Sequence, residues 1–259
     1  MIDEPFSRGE SVIHALDARF RLLACLALSL AAALAPSYAS PGLVLLFGVG
    51  CLLAARLPLG LVCRRIVAVN AFVAFLWLVL PWTTPGLPVA TFHGLALTRE
   101  GLALAGLITL KTNAIVLCVL ALLATIPAPA LGAAMAALGL PDKFAFLFLF
   151  TYRYLHVIHE EYGRLATAAR LRGFVPATTA HAYRTYAALV AMVLIKSFDR
   201  SRRVYEAMVL RGFSGRFRSL THFAARRADV AFLCCGLAVA LAAGALDILP
   251  LERTWLSRF

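Results

Sequence analysis

Residues 101–126 read GLALAGLITLKTNAIVLCVLALLATI, and Lys111 is the one charged side chain among them. A helix needs about 20 predominantly apolar residues to cross a bilayer, with a range of roughly 17–25. This run is long enough to span and too apolar to be left in water. Pro127 follows it directly, where a helix should stop. Four other stretches repeat the pattern, at 22–37, 41–55, 66–82 and 230–249, with Pro36, Pro41, Pro58 and Pro81 near their ends. The first two of these are short, and they cross only if the flanking Arg19, Arg21 and Arg56 snorkel to the headgroups.

The composition extends that reading to the whole chain. Of 259 residues, 62% are hydrophobic and 15% charged, against about 45–50% and about 25% in ordinary soluble domains. Such proportions exclude an ordinary soluble globular enzyme. The formal net charge of +12 would suggest nucleic acid in a water-soluble chain. In so apolar a chain the basic residues face a bilayer surface instead, and no nucleic-acid partner is expected. The six cysteines lie mostly within apolar runs, form no Cys-x-x-Cys pair, and are read as small buried hydrophobes. The opening Met-Ile-Asp-Glu-Pro lacks a basic signal region, so the first span is expected to direct insertion.

Between the fourth and fifth spans the character changes. Residues 144–152 are apolar, but nine residues cannot cross a bilayer. They are read as an interfacial or partly embedded lead into a long amphipathic helix. From 153 to 227 there are 14 basic side chains and 4 acidic ones (Glu160, Glu161, Asp199 and Glu206), which is +10 of the net +12. Basic residues concentrate on the cytoplasmic side. That places this block and the N-terminus inside and leaves Arg99, Arg253 and Arg258 outside. The expected fold class is all-α: a polytopic membrane protein with about five transmembrane helices. It divides into a four-span region at 1–126, a cytoplasmic helical region at 127–227, and a last span with its tail at 228–259.

The basic block contains a repeat. Residues 160–174 read EEYGRLATAARLRGF and residues 199–213 read DRSRRVYEAMVLRGF. At an offset of 39 they share an acidic first position, Arg164/Arg203, Ala168/Ala207 and the closing Leu-Arg-Gly-Phe. Each copy reads as a helix that ends at a glycine able to take the left-handed conformation. The arginine before it sits where a helix terminus is partially negative, and the phenylalanine beyond it is placed to fold back on the cap. An arginine on a helix tip is also a planar fork suited to a carboxylate on a partner.

At this repeat the chain resembles the transmembrane T component of energy-coupling-factor transporters, in the cobalt/nickel (CbiQ-type) branch. That family carries two Ala-Arg-Gly motifs at the ends of cytoplasmic coupling helices. The matching positions here are Leu171-Arg172-Gly173 and Leu210-Arg211-Gly212, with leucine in place of alanine. The stretch from His14 to Arg21 is similar to the family's Leu-Asp-Pro-Arg-x-Lys before span one, with Ala18 for proline and Arg21 for lysine. Further matches are residues 82–86, Leu140-Pro141, Tyr152-Arg153-Tyr154, Glu161, residues 196–200 and residues 203–208. Arg153, Glu161, Asp199 and Arg203 are thereby implied to support the coupling helices.

The resemblance implies a non-catalytic coupling subunit of an ATP-driven cobalt or nickel importer in a bacterial inner membrane. Its implied partners are two copies of an ATP-binding-cassette ATPase, which hold ATP-Mg, and a separate membrane subunit that captures the ion. No cofactor is expected on this chain. No Gly-Lys dipeptide occurs, so the phosphate-cradling loop is absent from the sequence. The rival readings are a vitamin importer's T component and a membrane-embedded lipid enzyme. The second needs acidic clusters such as Asp-x-x-Asp, which the sequence lacks.

Other polar residues invite roles of their own. His156 and His159, followed by Glu160, share helical spacing and are lesser candidates for metal ligands. They are read as ordinary interfacial polar residues in preference to ligands, and no metal site is assigned. Lys111 lies near the middle of span four, where an ion costs at least about 2.5–3.5 kcal/mol. It is read as an interior hydrogen-bond anchor in preference to a gating charge. Asn70 in span three is a candidate for hydrogen bonding across helices.

Overall fold

Proline and small polar caps set the ends of the helices in the computed structural model, which describes residues 6, 7, 9, 11–92, 95–213 and 224–248. Arg216, Arg218, Arg253, Arg258 and the end of the last expected span lie outside the described residues. After a single turn, α1 (Val12–Ala15), the Asp17 carboxylate caps α2 (Ala18–Leu34) by accepting the Arg19 N–H at 2.9 Å. Helix α3 (Ala39–Ala55) ends where Arg56 turns left-handed at φ +50°. Helix α4 (Leu59–Thr83) starts after Pro58 and carries Pro81 in its last turn.

Strands β1 (Pro88–Phe92) and β2 (Leu95–Thr98) form an antiparallel hairpin, with Pro88 opposite Thr98 and Phe92 opposite Leu95. Thr98 caps α5 (Arg99–Cys118), which continues into a π-helical turn at Val119–Leu123. Then follow α6 (Ala128–Ala137), α7 (Asp142–Leu171), α8 (Ala180–Leu210) and α9 (Arg227–Ile248).

Three of these helices are long and apolar enough to cross a membrane: Leu59–Thr83, Arg99–Leu123 and Arg227–Asp247. Helix α3 is apolar but shorter, and α2 has the same 17-residue length with Arg19 and Arg21 in its first turn. The hairpin at 88–98 was not foreseen. Its strands lie in the connection between α4 and α5.

The chain separates into two units. One comprises α1–α5, the hairpin and α9. In it α3 packs on α5 and α9, α2 packs on α9, and α4 lies against α5. Its core is made of small and branched side chains, among them Ala24, Leu28, Val44, Cys118, Ala121 and Leu122, all fully or almost fully buried. Close approach explains the small residues: a Cβ on Gly48 would sit 3.2 Å from the Leu117 Cβ. The second unit comprises α6, α7 and α8, with α6 against α7 and α7 against α8.

Two expectations are corrected within the first unit. Arg21 does not snorkel: it is 2% exposed, and its Nη1 donates to the Thr125 hydroxyl at 2.9 Å. Interior packing of the first turn of α2 takes precedence over headgroup contact. The cysteines are not uniformly buried either. Cys25, Cys51 and Cys118 are, but Cys63, Cys234 and Cys235 lie on exposed faces of α4 and α9. All six are free thiols.

Candidate functional site

The repeat folds into two helix ends of the same design. At the end of α7 the Gly173 N–H bonds the Arg170 carbonyl at 3.0 Å, and the Phe174 N–H bonds the Ala169 carbonyl at 3.1 Å. At the end of α8 the Gly212 N–H bonds Val209 at 2.9 Å, and the Phe213 N–H bonds Met208 at 3.0 Å. This paired bonding is the Schellman closure of a helix terminus. Arg172 (φ −89°, ψ 13°) and Arg211 (φ −90°, ψ 11°) adopt nearly the same backbone conformation. Gly173 and Gly212 sit at φ +87° and +81°, where an L side chain is strained although open space surrounds each Cβ position. Leu171, Arg172, Leu210 and Arg211 are all exposed.

The phenylalanines also reach the neighbouring helix. Phe174 meets Tyr186 of α8 edge-on at 5.2 Å, and Phe213 stacks on Phe146 of α7 at 5.9 Å. The hairpin runs antiparallel, so the end of each long helix lies beside the start of the other.

Midway along both helices Glu161 joins them. Its carboxylate accepts from Lys196 of α8 at 2.5 Å and from Arg164 of α7 at 2.5 Å, with the Arg200 guanidinium at 3.6 Å. The donated bonds, first from Lys196 and then from Arg164, pull its pKa down to about 2. Between this staple and the second tip runs an apolar groove of about 470 Å³, walled by Phe146, Phe150 and Tyr154 on one side and by Val204, Tyr205 and Met208 on the other.

The remaining supports are placed less tightly. Arg153 lies over the neighbouring Tyr154 ring at 5.9 Å. Asp199 and Arg203 are exposed and form no ion pair among the described residues. His156 pairs with Glu160 along α7 at 3.0 Å, while His159 is exposed. Among the described residues no group of three or more His, Cys, Asp or Glu side chains could hold a metal ion.

In the membrane unit, Lys111 donates to the Ala33 carbonyl at 3.0 Å, in the last turn of α2, where a cation meets the negative end of the helix. Asn70 and Asn113 exchange amide hydrogen bonds at 2.9 and 3.0 Å between α4 and α5. Sequence reasoning missed Asp229, which is 1% exposed. It accepts the Asp17 N–H at 2.9 Å and the Arg226 N–H at 2.7 Å, tying together the N-terminal ends of α2 and α9. The available signal was an acid in the first turn of a largely apolar helix.

Comparison with known proteins gives a consistent picture. The profile of the family described as cobalt transport protein, CbiQ, matches residues 9–223. The cobalt transport protein CbiQ of Rhodobacter capsulatus is 30% identical over 154 residues, 59% of this chain and 63% of that one. The chain thus matches just under two thirds of that relative's length. The energy-coupling factor transporter transmembrane protein EcfT of Heliobacterium modesticaldum is 27% identical over 223 residues, 80% of this chain and 81% of the relative.

Proposed function

The chain belongs to the CbiQ cobalt transport protein family, and on that premise we propose that it is the transmembrane coupling subunit of an ATP-driven cobalt importer. In this reading it is non-catalytic. ATP-Mg is held by a partner ATPase, and the ion is captured by a separate membrane subunit. The observation that carries the reading is the pair of matching arginine tips at Arg172 and Arg211, which are exposed on caps of one geometry. Matching tips suit two copies of one partner, and an exposed guanidinium suits a carboxylate-lined groove. Motion of the ATPases would reach the membrane unit through α7 and α8, which Glu161 holds together.

The basic block supports an orientation with the N-terminus and coupling helices in the cytoplasm, and the family likeness supports a bacterial inner membrane as the proposed location. Cobalt is the proposed ion because both the family and the first relative carry it in their descriptions. Nickel is the competing cargo, and a vitamin importer is the competing complex. Purification from native membranes in mild detergent tests the reading. The expected companions are two copies of an ATPase with a phosphate-binding loop, together with a second membrane chain. Recovery of the chain alone, or cobalt uptake unaffected by its deletion, would refute it.

A further inference from the structure

The groove between α7 and α8 has two unlike ends. On α7, Phe146, Phe150 and Tyr154 recur every fourth residue, and their rings follow one another at 4.4 and 5.3 Å as a continuous aromatic wall. Val204 and Met208 form the opposite wall on α8. Towards Glu161 the lining turns polar, with Ser197, Ser201 and Arg200. Among the described residues Arg200 is the one charged side chain in the lining, which holds no carboxylate. Its guanidinium stands 3.6 Å from Glu161, beyond hydrogen-bond reach, so its planar fork is left for an anion. Around that end the cations Arg164, Lys196 and Arg200 outnumber the carboxylates of Glu160 and Glu161.

The geometry points to a binding site for an anionic phospholipid, with one acyl chain along the aromatic wall and the phosphate on Arg200. Size decides between a lipid chain and a partner helix. From Phe146 to Ile158 the groove follows α7 for roughly 18 Å, close to the ~15 Å of hydrocarbon in one leaflet. Its volume of about 470 Å³ is that of a small-molecule site. A helix about 10 Å across would displace roughly 1,400 Å³ over the same length, about three times what the groove offers. Charge selects the headgroup, because the excess of cations favours a net-anionic lipid over a zwitterionic one. The α7 wall also begins in the apolar segment 144–152, where Phe144 and Leu147 are 61% and 62% exposed and suited to lipid.

The test uses the full-length chain in phosphatidylcholine vesicles with a trace of phosphatidylglycerol that carries a photoreactive diazirine on one acyl chain. Illumination should attach the probe to Phe150, Tyr154, Val204 or Met208. Excess unlabelled phosphatidylglycerol should displace it, and phosphatidylcholine should not. Arg200→Gln should weaken labelling of the groove about fivefold. Lys196 and Arg164 still hold Glu161 in that variant, so the pairing of α7 with α8 persists. Val204→Trp, which fills the groove, should abolish labelling there and leave labelling of the spans unchanged. Labelling confined to the spans would refute the site. Equal labelling by a phosphatidylcholine probe, or no response to Arg200→Gln, would remove the anion and with it the proposal. Displacement by oleate alone would make the ligand a free fatty acid. Loss of labelling in the complex purified with its partner chains would make the occupant a partner's helix. Either of these last results overturns the phospholipid.

Discussion

Glu161 shows how much one side chain can organise. Its pKa lies at about 2 against an ordinary 4.5, a depressed folded-state value. The stabilisation it brings is therefore complete above about pH 4.5 and is lost as pH falls through about 2. Spin labels at Ile158 and Ser201, across the α7–α8 groove, should report one narrow distance at pH 7 and a broadened one below pH 3. Glu161→Gln should broaden it at pH 7, and the swap E161K/K196E should narrow it again in part. A distance that ignores all of these changes would remove the staple from the account. Gly212 is the second informative position. Gly212→Ala places a Cβ at φ +81°, which costs about 1–2 kcal/mol. Hydrogen exchange at the Phe213 amide should rise about tenfold, and Gly212→Asn should raise it much less because asparagine tolerates that conformation.

At the scale of elements, the amide pair between α4 and α5 is the clearest energetic statement. Asn70→Leu leaves the Asn113 side chain with only its bond to the Thr109 carbonyl. Interhelical polar contacts in membranes average about 0.6 kcal/mol and reach about 1.7, so a loss near 1 kcal/mol is expected in detergent unfolding. N70L/N113L should recover most of it, and a double variant as weak as the sum would contradict the pairing. Helix positions were legible because Pro36, Pro58 and Pro127 punctuate long apolar runs. The cap geometry was legible because Leu-Arg-Gly-Phe has only one comfortable way to end a helix. Arg21 and Asp229 were not. Whether an arginine at the start of a span turns inward or to the headgroups depends on Thr125, more than 100 residues away. The bond from the Asp17 N–H to Asp229 spans 212 residues. The Glu161–Lys196 contact was hidden in the same way, because periodicity along α7 says nothing about which helix crosses it.

For the whole molecule, the testable quantity is sidedness. In a cysteine-free background, Leu87→Cys lies in the segment between α4 and the hairpin, and Arg170→Cys lies one residue before the first tip. An impermeant reagent added outside should label position 87 and spare 170 until the membrane is opened. Labelling of 170 from outside would reverse the topology.

The antiparallel pairing of α7 and α8 has a metric consequence. Phe213, just past the second tip, rests on Phe146, whereas the first tip follows Leu171. At 1.5 Å per residue the intervening stretch of α7 measures roughly 38 Å. The hairpin is a ruler: any pair of sockets gripping both ends at once must sit about that far apart. Sockets that close on one another cannot shorten a hydrogen-bonded helix, so they can only scissor one helix across the other. A change of spacing at the periphery is thereby converted into a change of angle at the centre.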